Sequence, residues 1–346
     1  MVVFVDHYGA VGGGQTVLVE LLREMRSRAC AWPAALVCPP GALADAAAEE
    51  GALAVTAAAP RDELELLDRE FGVSRVVVNS LRWLPDVLAW RARKRNRPHA
   101  AEVFFVQHST PGTPARRAVA RALLGRVDRI IPVASATGER ANLVEVPPLG
   151  LTTARYDALS SRSRLASARR VKAFGRLDRV KGLDLLVPAL PELRDRHPSV
   201  RFSVAVAPPL ERRSRRYATK TLEGLGPFLV EGPRDAGWFA AGDVVVVPSR
   251  SETACLTAQE AMASGAIVVA ARVGDLPFLI EDGVSGFLFD AGRPEALVTA
   301  VDRALTAAPD AFAEIARYGR ARARARAGAW YAGVCELLVE SRSTGC

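Results

Sequence analysis

Two glutamates, Glu252 and Glu260, stand eight positions apart where a strand runs into a helix. The apolar run Val244 to Val247 predicts a buried strand and Leu256 to Ser264 a helix, so Glu252 falls at the carboxyl end of a strand, where open α/β sheets bind ligands. Eight helical residues rise about 12 Å, which is wider than the roughly 5–9.5 Å between the paired carboxylates of glycosidases. The spacing suits two groups that hold different ends of one elongated ligand, with the helix N-terminus offering amides to an anion.

Two cations follow another predicted strand, Val171 to Phe174. Arg176 and Lys181 lie five positions apart in the segment Gly175-Arg176-Leu177 to Lys181-Gly182. At the carboxyl end of a strand, such a pair can hold a diphosphate. Alone, it would more often be an ordinary surface pair, and its register with the two glutamates is what makes it a candidate anion site.

A glycine-rich segment, Gly12-Gly13-Gly14, follows the first predicted strand, Val2 to Asp6. Glycines at this position let the backbone approach a ligand. A dinucleotide site would need a third glycine where Val17 stands and an acidic residue at the end of the second strand, which ends instead in Cys38-Pro39-Pro40. The pattern therefore disfavours a nicotinamide site, and a plain strand-to-helix turn remains the alternative.

A histidine, His108, ends the apolar strand predicted at Glu102 to Gln107. A polar side chain at the end of a buried strand points to the ligand-binding edge of the sheet, although a structural histidine satisfied by its neighbours is the alternative. His7 ends the first strand in a similar way and is the weaker candidate.

The stretch from Pro248 to Asp290 resembles the nucleotide-sugar site of retaining glycosyltransferases of the GT-B fold, in particular glycosyltransferase family 4, the group 1 enzymes. The upstream segment matches the family's Gly-Arg-Leu-x-x-x-Lys-Gly element. The matching residues, in order, are Gly175, Arg176, Leu177, Lys181, Gly182, Pro248, Ser249, Glu252, Glu260, Ala261, Met262, Ala263, Gly265, Gly274, Glu281, Asp282, Gly283 and Gly286.

The resemblance implies an α/β protein with two Rossmann-like, doubly wound parallel-sheet domains that face each other across a cleft. The alternation of predicted strands and helices in both halves agrees with this fold. We expect an N-terminal acceptor domain over 1–160 and a C-terminal nucleotide-sugar donor domain over 161–327, joined through the polar segment Ser160 to Arg170. The last helix, about 328–346, would pack back on the first domain.

The family resemblance also implies the activity and the roles of individual residues. The chain would be a metal-independent glycosyltransferase of the hexosyltransferase type, moving a sugar with retention from a nucleotide-diphospho-sugar to a hydroxyl acceptor. Glu252 would hold the sugar hydroxyls, Glu260 the ribose, and His108 would contact the donor sugar. The implied catalytic residues are Glu252, His108, Arg176 and Lys181, and the implied donor-binding residues are Gly13, Gly14, Arg176, Lys181, Glu252, Cys255, Leu256, Thr257 and Glu260.

Departures from the family pattern leave the substrates open. Thr253-Ala254-Cys255 stands where the family has Gly-Phe-Gly, so Cys255 would narrow the sugar pocket, and Gly274 is followed by Asp275 rather than by a second glycine. Val230-Glu231-Gly232-Pro233 resembles the turn near the base but has no base-specific signature. The acceptor could be a carbohydrate, a lipid-linked sugar or a small molecule. The alternatives are an epimerase or phosphorylase of the same fold, or a non-catalytic sugar-nucleotide-binding subunit.

Composition limits the partners, the location and the cofactors that can be expected. The net charge is +8, yet only four of the 46 basic residues are lysine, which is typical of a high-GC bacterial genome. The basic runs are not interleaved with aromatics, so a nucleic-acid partner is not expected. No apolar run approaches the roughly 18 residues of a spanning helix, and the five cysteines are scattered. We expect a cytoplasmic protein, at the inner membrane face if its acceptor is lipid-linked. No cofactor is expected. No metal is expected either, because no Asp-x-Asp occurs.

Overall fold

The computed structural model describes residues 1–28, 33–94, 100–108, 114–134, 142–161, 165–209, 214–230 and 238–339. The chain forms two compact units, Met1–Leu149 together with Ala329–Cys346, and Gly150–Gly328. Each unit contains a six-stranded sheet whose neighbouring strands pair in parallel.

The first unit has the strand order β3-β2-β1-β4-β5-β6. Apart from the partly exposed edge strand at Leu53–Thr56, its strands are mostly apolar and buried on both faces, as is typical of parallel strands covered by helices. The elements are β1 (Val2–Val5), α1 (Gly13–Ser27), β2 (Ala34–Cys38), α2 (Ala42–Glu49), β3 (Leu53–Thr56), α3 (Arg61–Phe71), β4 (Arg75–Val78), α4 (Leu84–Arg93), β5 (Glu102–Gln107), α5 (Pro114–Leu124) and β6 (Arg129–Pro132).

The second unit has the strand order β12-β11-β10-β7-β8-β9. Its elements are α6 (Thr153–Ser161), β7 (Leu165–Arg176), α7 (Leu186–Arg196), β8 (Arg201–Ala207), α8 (Arg215–Leu225), β9 (Leu229–Val230), β10 (Ala241–Val247), α9 (Leu256–Ala263), β11 (Ile267–Ala271), α10 (Leu276–Leu279), β12 (Phe287–Phe289), α11 (Pro294–Thr306) and α12 (Pro309–Arg326). Short 3-10 turns lie at Arg179–Lys181 and Leu183–Leu185.

Both sheets are doubly wound, which confirms the prediction of two Rossmann-like domains. In each sheet the chain runs outward from the first strand on one side and then returns to its other side. The point of reversal lies between β1 and β4 in the first unit and between β7 and β10 in the second. Ligands of such sheets bind at the carboxyl ends of the strands on either side of this point.

The last helix, α13 (Ala329–Val339), belongs to the first unit. The Trp330 indole donates a hydrogen bond of 2.7 Å to the Pro132 carbonyl at the end of β6, and the Arg75 guanidinium donates to the Leu338 carbonyl. Trp330 and Leu338 are fully buried. The carboxyl-terminal helix is therefore part of the core of the amino-terminal unit.

The predicted linker, Ser160 to Arg170, is wrong for its described residues. Ser160 and Ser161 end α6, residues from 165 onward already belong to β7, and the division between the units falls between Leu149 and Gly150. The strand was not predicted because the segment is rich in charged and polar residues. Arg170 bonds the fully buried Asp243 at 2.7 Å, so the pairing partner on β10 makes a charged residue compatible with a sheet.

None of the helices in the described part of the chain combines the length and the apolarity needed to cross a bilayer.

Candidate functional site

Lys181 and Glu252 meet at the reversal point of the second sheet. Lys181 follows β7 and Glu252 follows β10, and the Lys181 Nζ lies 2.6 Å from the Glu252 Oε1. The Ser249 hydroxyl donates to the same oxygen at 2.7 Å. The side chains of Lys181 and Glu252 are 27% and 7% exposed. The structure therefore brings together the two motifs that the sequence analysis identified separately.

The ion pair keeps Lys181 charged. Burial alone would lower the pKa of the Lys181 ammonium, but the Glu252 carboxylate outweighs that effect and the pKa lies above its ordinary value. A charged ammonium at the edge of a sheet is suited to an anionic ligand such as a diphosphate.

A second set of contacts fastens the two loops that carry Lys181 and Glu252. The Arg250 amide donates to the Val180 carbonyl at 2.8 Å, and the Arg250 guanidinium bonds both Asp184 carboxylate oxygens at 2.6 and 2.8 Å. The Tyr217 hydroxyl also donates to Asp184. Burial alone would raise the pKa of Asp184, yet the bonds from Arg250 and Tyr217 hold it below its usual value. This bidentate pair keeps the loops after β7 and β10 in fixed register.

Two glycines allow the loops to touch through their backbones. Gly182 has φ of +67°, and a Cβ there would lie 2.0 Å from the Pro248 carbonyl oxygen. Gly274, in the loop after β11, has φ of +54°, and its Cβ would lie 1.7 Å from the Glu252 carbonyl oxygen. No side chain fits at either position. Three successive loops of the site thus stack directly on one another.

Arg176, the other predicted cation, ends β7 and bonds Asp178 instead of Glu252. The Arg176 Nε lies 3.0 Å from the Asp178 Oδ2, and both side chains are largely buried. Its positive charge still acts on Lys181, because it opposes the rise in the pKa of Lys181. The two cations therefore share one electrostatic environment at the end of β7.

The helix α9 begins next to Glu252, with Leu256 and Thr257 in its first turn. Cys255 precedes it with φ of +41°, the left-handed region, and among the described residues it is the one non-glycine with positive φ. The departure from the family's glycine at this position therefore has a structural cost. Burial, together with the Glu252 carboxylate, raises the pKa of the Cys255 thiol, so the sulfur stays protonated.

Glu260 lies on α9 and pairs with a residue that the sequence analysis missed. The Arg155 guanidinium, from α6, lies 2.5 Å from the Glu260 Oε1, and the two side chains are 30% and 16% exposed. Arg155 stands in a polar run without a motif, so no pattern in the sequence singles it out. The pair ties Glu260 to the helix that opens the second unit.

In the first unit, His108 is part of a polar network at the reversal point of the sheet. The His108 Nε2 lies 2.5 Å from the Asn79 Oδ1, and the Asn79 Nδ2 donates to the Asp6 Oδ2 at 2.6 Å. Asp6 also accepts from the Gln15 side chain and from the Tyr8 amide. Asp6 and Asn79 directly follow β1 and β4. The argument that selected His108, a polar residue at the end of a buried strand, would therefore have found them too.

The glycine-rich segment lies against this network. A Cβ on Gly14 would lie 3.5 Å from the His108 ring, whereas one on Gly13 would meet nothing within 4 Å. Burial lowers the pKa of His108 to about 4, against a smaller opposing effect of the Asp6 carboxylate. His108 is therefore neutral at physiological pH. The predicted base-side turn, Glu231-Gly232-Pro233, lies outside the described residues.

Comparison with known proteins finds a family match within the second unit. Residues 168–307 match the family model described as "Glycosyl transferases group 1". The D-inositol 3-phosphate glycosyltransferase of Streptomyces griseus is 38% identical over 142 residues, which cover 37% of this chain and 30% of that protein. The enzyme of the same name from Corynebacterium aurimucosum is 30% identical over 274 residues, covering 68% of this chain and 65% of that protein. The chain thus spans between 30% and 65% of the length of these relatives.

Solved structures show the fold. Anabaena Alr3699/HepE in complex with UDP-glucose aligns with a TM-score of 0.79 at 20% identity, over 97% of this chain and 98% of that one. Sucrose-phosphate synthase from Thermosynechococcus elongatus aligns with a TM-score of 0.69 at 20% identity, over the same shares of the two chains. The chain has the GT-B fold. Residues 168–307 match the group 1 glycosyltransferase family model, which confirms the resemblance drawn from the motifs over this part of the chain.

Proposed function

We propose that this protein is a retaining glycosyltransferase that moves a sugar from a nucleotide-diphospho-sugar to a hydroxyl of its acceptor. The observation that carries the proposal is the contact between Lys181 and Glu252 within the group 1 domain. It joins a phosphate-binding cation to a carboxylate that can accept hydrogen bonds from hydroxyls. A sugar linked to a diphosphate is the ligand that offers both groups side by side.

Each end of the donor has a candidate partner. Lys181, Arg176 and the first-turn amides of α9 hold the diphosphate, since helix N-termini and cations both stabilise anions. The described bonds of Glu252 go to its Oε1, and its Oε2 accepts from the sugar hydroxyls. Glu260, oriented by Arg155, accepts from the ribose hydroxyls.

The same groups supply the chemistry. As the glycosidic bond to the diphosphate breaks, negative charge grows on the departing phosphate oxygen, and Lys181 and Arg176 stabilise it without a metal. The acceptor hydroxyl attacks the anomeric carbon from the face that the diphosphate leaves, and its proton passes to the departing phosphate oxygen. The new bond therefore keeps the configuration of the donor. An inverted anomeric centre in the product, measured by NMR, would exclude this mechanism.

The similar proteins suggest which substrates to test first. HepE was solved with UDP-glucose and the curated relatives are D-inositol 3-phosphate glycosyltransferases. A UDP-hexose donor and a phosphorylated polyol are therefore the first pair, followed by glycan and lipid-linked acceptors. A lipid-linked acceptor would place a cytoplasmic enzyme at the inner face of the membrane.

Calorimetry with UDP, GDP, ADP and dTDP, followed by the matching sugar nucleotides, tests the proposal. For the nucleotide that binds, Arg176→Ala and Lys181→Ala should each weaken affinity by about 1.5–3 kcal/mol, or roughly tenfold to a hundredfold. Arg179→Ala is the matched control, because it removes an exposed cation from the same loop. Unchanged diphosphate affinity in both test variants would show that the donor site lies elsewhere.

A further inference from the structure

The network at the end of β1 and β4 fixes how the Asn79 amide is turned. The Asn79 Nδ2 faces two acceptors, the Asp6 carboxylate at 2.6 Å and the Gly14 carbonyl at 3.4 Å. Turning the amide over would set its oxygen against both of them. Asp6 is itself held as an acceptor by Gln15 at 2.9 Å and by the Tyr8 amide at 3.0 Å. The oxygen of Asn79 must therefore face His108.

The orientation of Asn79 decides which ring nitrogen of His108 carries the proton. An amide oxygen only accepts, so the His108 Nε2, 2.5 Å away, has to donate. The ring is neutral above a pKa of about 4, and a neutral imidazole has one N–H. The Nδ1 is then unprotonated and can only accept.

We infer that Asn79, oriented by Asp6, is a positioning residue that holds His108 as the Nε2–H tautomer and so makes its Nδ1 a hydrogen-bond acceptor for a ligand hydroxyl. That the hydroxyl belongs to a substrate rests on the proposed function, whereas the tautomer rests on the contacts within the first unit alone. The arrangement gives the site a selectivity that a freely exchanging histidine lacks. A hydroxyl can donate to the Nδ1, whereas a purely accepting group such as a phosphate oxygen cannot bind it.

The tautomer can be measured directly by NMR on the protein with ¹⁵N-labelled histidine. The chain has four histidines, so a His108→Gln variant assigns the signals. In the ligand-free protein near neutral pH we expect a protonated Nε2 and a bare Nδ1. An Nδ1–H tautomer in the unmodified protein would overturn the inference, and this result needs no variant to fold.

Asn79→Ala tests the cause of the tautomer. The variant should lose the pure Nε2–H form, while its affinity for the free nucleoside diphosphate stays unchanged. Ser80→Ala is the matched control, because Ser80 is the next residue but bonds His7 instead, and the His108 signals should not move. Retention of the same tautomer in Asn79→Ala would contradict the inference. If no sugar nucleotide binds to the unmodified protein, the proposed function fails while the tautomer result still decides the role of Asn79.

Discussion

The backbone of Gly274 lies directly on that of Glu252, so closely that a Cβ at position 274 would stand 1.7 Å from the Glu252 carbonyl oxygen. The loop after β11 thereby sets the position of the residue proposed to hold the donor sugar. Because the contact is between backbones, neither partner can relieve it by a side-chain rotation. The geometry of Glu252 depends on a residue that itself has no side chain.

Gly274→Ala should therefore disturb both stability and binding. The alanine forces the Glu252 backbone to move, and we expect a loss of roughly 2–4 kcal/mol in the free energy of unfolding together with weaker binding of the sugar nucleotide. Gly292→Ala is the control, since Gly292 has φ of +79° but nothing within 4 Å of its Cβ position. It should cost about 1–2 kcal/mol from backbone strain alone and leave binding intact. Urea unfolding and calorimetry make the comparison, and equal costs in the two variants would show that the close contact is unimportant.

Much of the second unit could be predicted from the sequence, because its signals are local. β11 coincides with the predicted strand Ile267 to Ala271, since a short, fully apolar run favours a buried strand. The contact of Lys181 with Glu252 follows from the register of two motifs on strands that neighbour each other at the reversal point.

The ion pairs around these residues could not be predicted. Whether Arg155 pairs with Glu260, or Arg176 with Asp178, depends on which loops the fold brings within reach, and the chain has 46 basic residues to choose from. The early start of β7 was missed for the same reason. Its charged residues are typical of a linker, and the sequence does not show that Arg170 pairs with Asp243 on the neighbouring strand.

Cys255 provides a test of backbone strain. With φ of +41° at the start of α9, it occupies a conformation that favours glycine. We expect Cys255→Gly to be more stable than Cys255→Ala by about 1 kcal/mol, since both lose the buried thiol and only glycine relieves the strain. Thermal unfolding of the two variants measures the difference. A more stable alanine variant would mean that the left-handed conformation is not held in solution.

His108 predicts how stability changes with acid. Its folded pKa of about 4 lies below the unfolded value of about 6.5, so the unfolded chain takes up the proton first as the pH falls through this window. Above about pH 6.5, His108 does not lower the free energy of unfolding. As the pH falls to about 4, protonation of His108 in the unfolded chain should lower the free energy of unfolding by roughly 2–3 kcal/mol. The negative charge of the Asp6 carboxylate reduces this loss but does not reverse it.

Urea unfolding of the unmodified protein and of His108→Gln between about pH 4.5 and about pH 7.5 isolates this effect. Acid titration of the carboxylates affects both proteins, so the difference between them reports on His108. That difference should be constant above the unfolded pKa and should shrink as the pH falls. A difference that stays constant over the whole window would contradict the assignment.

The two glutamates should respond differently to removal. Glu260→Ala should weaken binding of the free nucleoside diphosphate and of the intact donor by similar amounts, because both ligands carry the ribose. Glu252→Ala should leave the affinity for the free diphosphate nearly unchanged. It should weaken binding of the intact donor, or slow its turnover, by an amount equivalent to about 1–3 kcal/mol. Calorimetry and initial rates give the four comparisons. Glu295→Ala, an exposed change on α11, serves as the control and should stay within about 0.5 kcal/mol. Equal effects of Glu252→Ala on both ligands would remove it from the sugar site.

Arg155 should act only through Glu260. Its guanidinium bonds the Glu260 carboxylate from α6, so Arg155→Ala should weaken nucleoside-diphosphate binding by about 1 kcal/mol, and the double variant Arg155→Ala/Glu260→Ala should bind no more weakly than Glu260→Ala alone. Asp157→Asn is the control on the same helix. It breaks an exposed pair with Arg324 of 2.9 Å, and such a pair contributes little. Calorimetry of these variants with the same diphosphate completes the cycle. Fully additive losses would show that Arg155 contacts the ligand independently of Glu260.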